Sequence, residues 1–272
     1  MAKTKTALPM PKFHKRERNF TLRIVAGILG SVVRLFFGLR VHELDRLPKT
    51  GSYILVSNHC TNVDALAVAY FVYFKTKRAP HFMAKEGLFR LPVIGKILLS
   101  AGQIPVYRSS GNRNDEPLRV AYEYLKRGHT ISIFPEGTLT REPNMWPMKG
   151  RSGAVRLALE SGVPVYPIAH WGSHHILPRY SNKFRPGFWK KVDILVGNEI
   201  DLARFRHPNL TPAEVTDATD VVMGHITKLV EQLRGEKAPA ERWDPVKQGQ
   251  SKHGNFVKAG KGGGSTSIEG EK

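Results

Sequence analysis

A chain of 272 residues can bury a full core as one domain with tails. Its Lys+Arg count of 42 against 23 Asp+Glu leaves +19, which points to polyanionic partners: nucleic acid, an anionic membrane surface or phosphorylated substrates. The single cysteine, Cys60, excludes an intrachain disulfide framework and a cysteine-based zinc cluster and is compatible with a reducing compartment, so the cytosolic side is expected.

The first predicted element is a helix. Basic residues in "KFHKRERN" precede "FTLRIVAGILGSVVRLFFGLRV", which is apolar except for spaced arginines. The clean apolar stretch, 24–33, lies between Arg23 and Arg34 and is shorter than the roughly 20 residues a membrane-spanning helix needs. At about 100° per residue, Arg16, Arg23 and Arg34 fall nearly on one line of an otherwise greasy helix. Such a helix can lie in the headgroup plane with its arginines on lipid phosphates. The other reading is an ordinary core-packing helix; a signal peptide is disfavoured because no small-residue cleavage pattern follows.

Short β-like runs then alternate with helical segments, which predicts an α/β fold: a mainly parallel central sheet flanked by helices, behind an N-terminal amphipathic membrane-associating helix. Strands are expected at "SYILVSN", "HFMAK", "GQIPVYR", "TISIFP", "VPVYPIAH" and "KVDILVGN". Helices are expected over 63–76, 88–100, 114–127, 150–161 and 211–234, with Gly128 and Gly162 as C-terminal stops. The Gly-, Lys- and Ser-rich segment after Gly235 reads as a mobile basic tail. The organisation is therefore 1–45 (basic N-terminus and interfacial helix), 46–234 (catalytic-sized domain) and 235–272 (flexible tail).

Two loops carry the candidate chemistry. In "SNHCTNVDAL", His59 and Asp64 are five residues apart, about 140° on a continuous helix, so the histidine must precede the helix to cooperate with the aspartate. With Thr61 or Asn62 as N-cap, Asp64 falls in the first turn and can orient a folded-back imidazole whose other nitrogen takes a proton. Spacing alone favours plain helix capping over this relay. In "ISIFPEGTLTR" a strand runs into Pro135, Glu136, Gly137 and Thr138, at the kind of strand end where α/β sheets hold ligands. Glu136 reads equally well as a buried ion-pair partner, and Gly137 as a point where substrate can approach a backbone N–H.

"NHCTNVD", "GQIPVYR", "FPEGT" and "VPVYPIA" occur in this order over about 57–169, and together they resemble the four motif blocks of the glycerolipid acyltransferase family. The sequence departs from that pattern at Leu139, where the family often has arginine; Arg141, Lys149 or Arg151 would have to take that role.

The resemblance implies a base at His59, an orienting carboxylate at Asp64, an oxyanion contact at the Gly137 N–H and acceptor contacts at Glu136 and Thr138. It also implies phosphate binding by Arg108, Arg141 and Lys149; the lipid contacts expected of Arg16, Arg23 and Arg34 rest on their helical spacing alone. The implied reaction moves a fatty acyl group directly from an acyl-CoA or acyl carrier protein thioester to lysophosphatidic acid, giving phosphatidic acid, with no cofactor, metal or acyl-enzyme. Glycerol-3-phosphate, another lysophospholipid or a glycolipid are alternative acceptors, and a non-catalytic membrane or nucleic-acid binder is the alternative class. No RNA-binding motif is evident, so no nucleic-acid partner is expected. The expected location is the cytoplasmic face of the cell membrane, peripheral or monotopic.

Cys60 reads as a small buried thiol. His174 and His175 lack further ligands at metal spacing and read as a loop. Trp171, Phe188 and Trp189 lie in either a second interfacial patch or an ordinary loop.

Overall fold

The computed structural model describes residues 9–14, 17–106, 115–185 and 187–250. Asn19 opens the first helix by accepting the Leu22 N–H at 2.9 Å, which satisfies a first-turn donor that has no partner within the helix. This helix, α1, spans Phe20–Phe36. The apolar run does not stay helical to Val41, because Phe37–His42 leave as strand β1.

The chain continues as β2 (Tyr53–Ser57), α2 (Asp64–Tyr70) with a π turn over Phe71–Lys75, β3 (His81–Lys85), α3 (Glu86–Phe89) and α4 (Pro92–Ser100). Then come β4 (Ile104–Val106), α5 (Glu116–Lys126), β5 (Thr130–Ile133), α6 (Gly153–Ser161), β6 (Val165–Trp171), β7 (Lys190–Val196) and α7 (Pro212–Arg234).

Seven strands form one sheet in the order β1-β7-β6-β2-β5-β3-β4, with every neighbouring pair parallel except β6 and β7. The fold is thus the expected mainly parallel α/β sheet flanked by helices. β1 is the strand that periodicity missed. It runs parallel to β7 from Phe37↔Lys190 to His42↔Leu195, and a bidentate Arg40–Asp193 pair at 2.7 Å fastens the two.

Every residue of the central strands β2 and β5 is buried, as strands covered on both faces must be. On one face Ile54 and Ile131 join a core with Leu157, Val222 and Ile226, carried by α6 and α7. On the other, Tyr53 and Leu55 meet Val68, Phe71 and Val72 of α2 and the π turn. Because β2, β5 and β6 are parallel, their carboxyl ends emerge at one edge of the sheet, and the two loops singled out by sequence meet there.

One narrow stripe of α1, Leu22, Ala26, Gly30 and Val33, is buried. Gly30 lies so close to Phe74 that a Cβ would come within 2.7 Å of its ring. The opposite face leaves Phe20, Ile24, Ile28 and Leu35 exposed, with Phe20 at 77%. Arg23 and Arg34 are exposed beside it, and Arg16 lies outside the described residues. Among the described residues no helix is long and apolar enough to cross a membrane.

The segment after α7 differs from the expected loose tail as far as residue 250. Trp243 O accepts the Lys149 N–H at 2.9 Å, Lys149 Nζ meets Asp244 at 2.9 Å, and Arg242 pairs with Asp220 at 2.6 Å. Charged residues that look like solvated coil by composition find specific partners here. Residues 251–272 lie outside the described residues.

Candidate active site

β2 ends at Ser57, and the next residue joins two strands by its side chain. Asn58 Oδ1 accepts the His170 N–H at 3.0 Å while its Nδ2 donates to His170 O at 3.0 Å. The His170 imidazole completes the clamp, with Nε2 at 2.7 Å from Asn58 O. The chain then turns sharply through 59–63 into α2, whose first residue is Asp64; Val63, rather than Thr61 or Asn62, stands at the N-cap.

That turn wraps around the Asp64 carboxylate, which is fully buried. Oδ2 accepts the N–H groups of Cys60 and Thr61 at 2.5 and 2.7 Å and faces His59 Nδ1 at 3.1 Å. Oδ1 accepts the hydroxyls of Thr61 and Ser173 at 2.8 and 2.5 Å. Burial alone would raise the Asp64 pKa. Attraction to His170 and His59, together with hydrogen bonds from His59 and Ser173, outweighs burial and holds the carboxyl well below the ordinary range. The anion therefore fixes His59 with Nδ1 inward and leaves Nε2 as the nitrogen able to exchange a proton.

The His59 ring stacks on Phe134 at 4.2 Å between centroids and stays partly exposed. Its backbone is gripped by the second loop: the His59 N–H donates to Glu136 Oε1 at 2.9 Å, and His59 O accepts the Thr140 N–H at 2.7 Å. Glu136 Oε2 accepts the Met148 N–H at 3.1 Å. Both oxygens of this buried carboxyl thus hold backbone and brace the two loops. Burial pushes its pKa up to about 8 despite the lowering effect of the two N–H groups.

Gly137 takes a left-handed conformation, φ +68, and its N–H closes a turn on Phe134 O at 2.9 Å. A Cβ at Gly137 would meet Arg151 Cδ and Nε at 2.8 Å, which makes glycine necessary for Arg151 to cross it. Arg151 is held over this turn by its N–H on Pro135 O at 2.8 Å. Arg151 and Gly137 are exposed and Thr138 is half-buried on the open side of the site.

Two of the expected phosphate ligands have protein partners. Arg141 is buried beside the Tyr180 hydroxyl, and Lys149 is paired with Asp244. Arg108 lies outside the described residues.

Cys60 is buried, and burial raises its thiol pKa, reinforced by Asp64 and Glu136, so it is a poor nucleophile. His174 is kept neutral chiefly by burial, its pKa lowered to about 4, and its ring makes tilted contacts with Trp171 and His175. Elsewhere, Glu17, His81 and His129 place ligand atoms within 4.8 Å of one another. Glu17 is paired there with Arg78 at 3.0 Å, and His81 Nε2 is 3.0 Å from His129 Nδ1; a guanidinium at that position opposes a metal cation.

Sequence reasoning missed Asn58, His170 and Ser173. The signal available was the position of His170 and Ser173 just past the fourth motif block, at the end of the strand that pairs with β2.

Residues 38–171 match the Acyltransferase family. Over 175 residues the chain is 28% identical to the 1-acyl-sn-glycerol-3-phosphate acyltransferase BAT2, chloroplastic, of Brassica napus, covering 64% of this chain and 49% of that one. Over 186 residues it is 27% identical to the 1-acyl-sn-glycerol-3-phosphate acyltransferase of Bacillus subtilis, covering 68% and 85%. The chain spans about half the length of the chloroplast relatives it matches. Its fold matches the crystal structure of the 1-acyl-sn-glycerophosphate (LPA) acyltransferase PlsC from Thermotoga maritima with a TM-score of 0.61 at 24% identity, over 80% of this chain and 82% of that one. With its motif loops gathered at one sheet edge, the chain carries a region, residues 38–171, that is similar to the acyltransferase family.

Proposed function

We propose that the protein transfers a fatty acyl group from an acyl thioester of coenzyme A or acyl carrier protein to the hydroxyl of 1-acylglycerol-3-phosphate, giving phosphatidic acid. The observation that carries this reading is the His59–Asp64 pair: a buried carboxylate with four further donors, 3.1 Å from the Nδ1 of a partly exposed imidazole. The names of the relatives supply the acceptor.

An alcohol is a poor nucleophile at neutral pH, so its proton must leave as it attacks. His59 Nε2 takes that proton while the hydroxyl oxygen bonds to the thioester carbonyl carbon. The tetrahedral intermediate collapses, the C–S bond breaks, and the thiolate recovers the proton from the imidazolium. Asp64 stabilises the transient charge on the ring. The enzyme returns to its starting state with no covalent intermediate.

Arg151 is the cation placed for the acceptor phosphate, and Arg108 joins it on its motif. α1 rests its exposed apolar face on a membrane surface, with Arg23 and Arg34 at lipid phosphates.

The test is thiol release from palmitoyl coenzyme A by detergent-solubilised protein, with and without 1-acylglycerol-3-phosphate, and identification of the lipid product by mass. Acceptor-dependent release with phosphatidic acid as product is expected. Release that ignores the acceptor, or product formed only from glycerol-3-phosphate or another lysolipid, would refute the assignment.

A further inference from the structure

A cavity of about 490 Å³ opens where the last turn of α1, the first residues of β1 and β7 and the π turn after α2 come together. Arg34, Arg40, Lys75 and Lys191 line it, with the rings of Tyr70 and Trp189. None of these residues belongs to the His59 site, and no acidic residue lines the wall.

The four cations are not equivalent. Arg40 is engaged by Asp193. Arg34 lies over the Phe74 ring at 4.9 Å and its Nε donates to the Tyr70 hydroxyl at 3.3 Å, which orders the side chain without neutralising it. Lys75 and Lys191 are exposed and make no ion pair among the described residues.

A helix C-terminus normally repels an anion. Here its last carbonyls are occupied: the Trp189 N–H meets Leu35 O at 3.3 Å, the Trp189 indole N–H meets Arg34 O at 3.1 Å, and the Phe37 N–H meets Val33 O. Gly38 permits this approach, since a Cβ there would lie 2.7 Å from Trp189 O.

The surroundings are apolar. Leu35 and Phe188 are exposed, Trp189 is 74% exposed, and Phe36 stacks on Phe188 at 6.3 Å. Exposed cations beside a tryptophan and an amphipathic helix match the boundary between headgroups and acyl chains.

We infer that this cavity binds the phosphate headgroup of an anionic phospholipid in the leaflet on which α1 lies. The inference rests on the membrane reading above and adds to it a specific lipid site, separate from the acceptor site. The three charges not engaged by Asp193 hold the phosphate oxygens, Trp189 sits at the glycerol level, and the acyl chains run beside the exposed face of α1.

The test is co-sedimentation of the full chain with phosphatidylcholine vesicles, with and without phosphatidic acid, at fixed ionic strength. Lys75→Glu/Lys191→Glu is compared with Lys126→Glu/Lys237→Glu, which changes net charge equally at exposed positions elsewhere. Lys75→Gln/Lys191→Gln serves as the milder version, and circular dichroism checks that each variant folds. The expected result is at least a tenfold loss of binding to phosphatidic acid vesicles for the cavity pair, about twofold or less for the control pair, and no change on phosphatidylcholine alone.

Equal losses for the two pairs would mean that overall charge drives binding, and would overturn the site. Undiminished binding by the cavity pair would overturn it as well. Wild type that binds neither vesicle would remove the membrane reading and the site together, an outcome distinct from the other two.

Discussion

Five hydrogen-bond contacts converge on the buried Asp64 carboxyl, and they set its acid–base behaviour. Its pKa is depressed in the folded chain, so the unfolded chain binds the proton first as pH falls. The stabilisation it contributes is present above the unfolded value of about 4 and is lost below that, through the lower folded value. Asp64→Asn should therefore flatten the acid limb of the stability curve below about pH 4, measured by urea unfolding at several pH values; an unchanged slope would contradict the assignment. The same variant should lose stability at neutral pH, because an amide oxygen cannot serve donors on both sides. Glu136 behaves in the opposite sense. Its raised pKa makes stability fall as pH rises from about 4.5 toward 8. Glu136→Gln, which removes the ionisable group, should lessen that decline, whereas Glu136→Ala strands two buried N–H groups at a cost of about 2–5 kcal/mol. Chemical denaturation of both variants checks this, and equal stability for Ala and wild type would rule out the brace. His59 and Asp64 were legible from their spacing and motif. Asn58, His170 and Ser173 were not, because their partners lie 109 to 112 residues away and only strand pairing brings them together.

α1 is buried along one stripe and exposed along the other. Its stripe of small and medium side chains packs against the π turn after α2, while its bulkier apolar residues remain outside. Gly30→Leu, which would collide with Phe74, is expected to cost roughly 1–3 kcal/mol of stability. Ile24→Gln/Ile28→Gln should leave stability within about 0.5 kcal/mol and reduce vesicle binding several-fold. Thermal unfolding and co-sedimentation separate the two effects; the reverse pattern would show that the exposed face is structural. The six strands from β2 onward were legible as short apolar runs ended by turn residues. β1 was not, because Gly38, Leu39 and Val41 simply prolong the apolar character of α1, and what makes them a strand is β7, about 150 residues later.

At the scale of the whole molecule, chain order and strand order together explain the site. β2, β5 and β6 are adjacent and parallel, so the loops after them, far apart in sequence, share one edge of the sheet. The segment 236–250 reinforces that edge from behind by holding Lys149 at both its N–H and its ammonium. Composition could not reveal this, since a charged, glycine-containing stretch reads the same whether its charges are paired or solvated. Truncation after Gly235 should lower the melting temperature by several degrees, consistent with a loss of about 1–2 kcal/mol; an unchanged transition would mean that these contacts add nothing. The central claim is that the pair formed by His59 and Asp64 performs the chemistry. It is tested most directly by comparing the rate of acceptor-dependent phosphatidic acid formation by wild type and by a folded His59→Ala variant. A loss of about 10²–10⁴-fold is expected. A His59→Ala variant that forms product at the wild-type rate would contradict it.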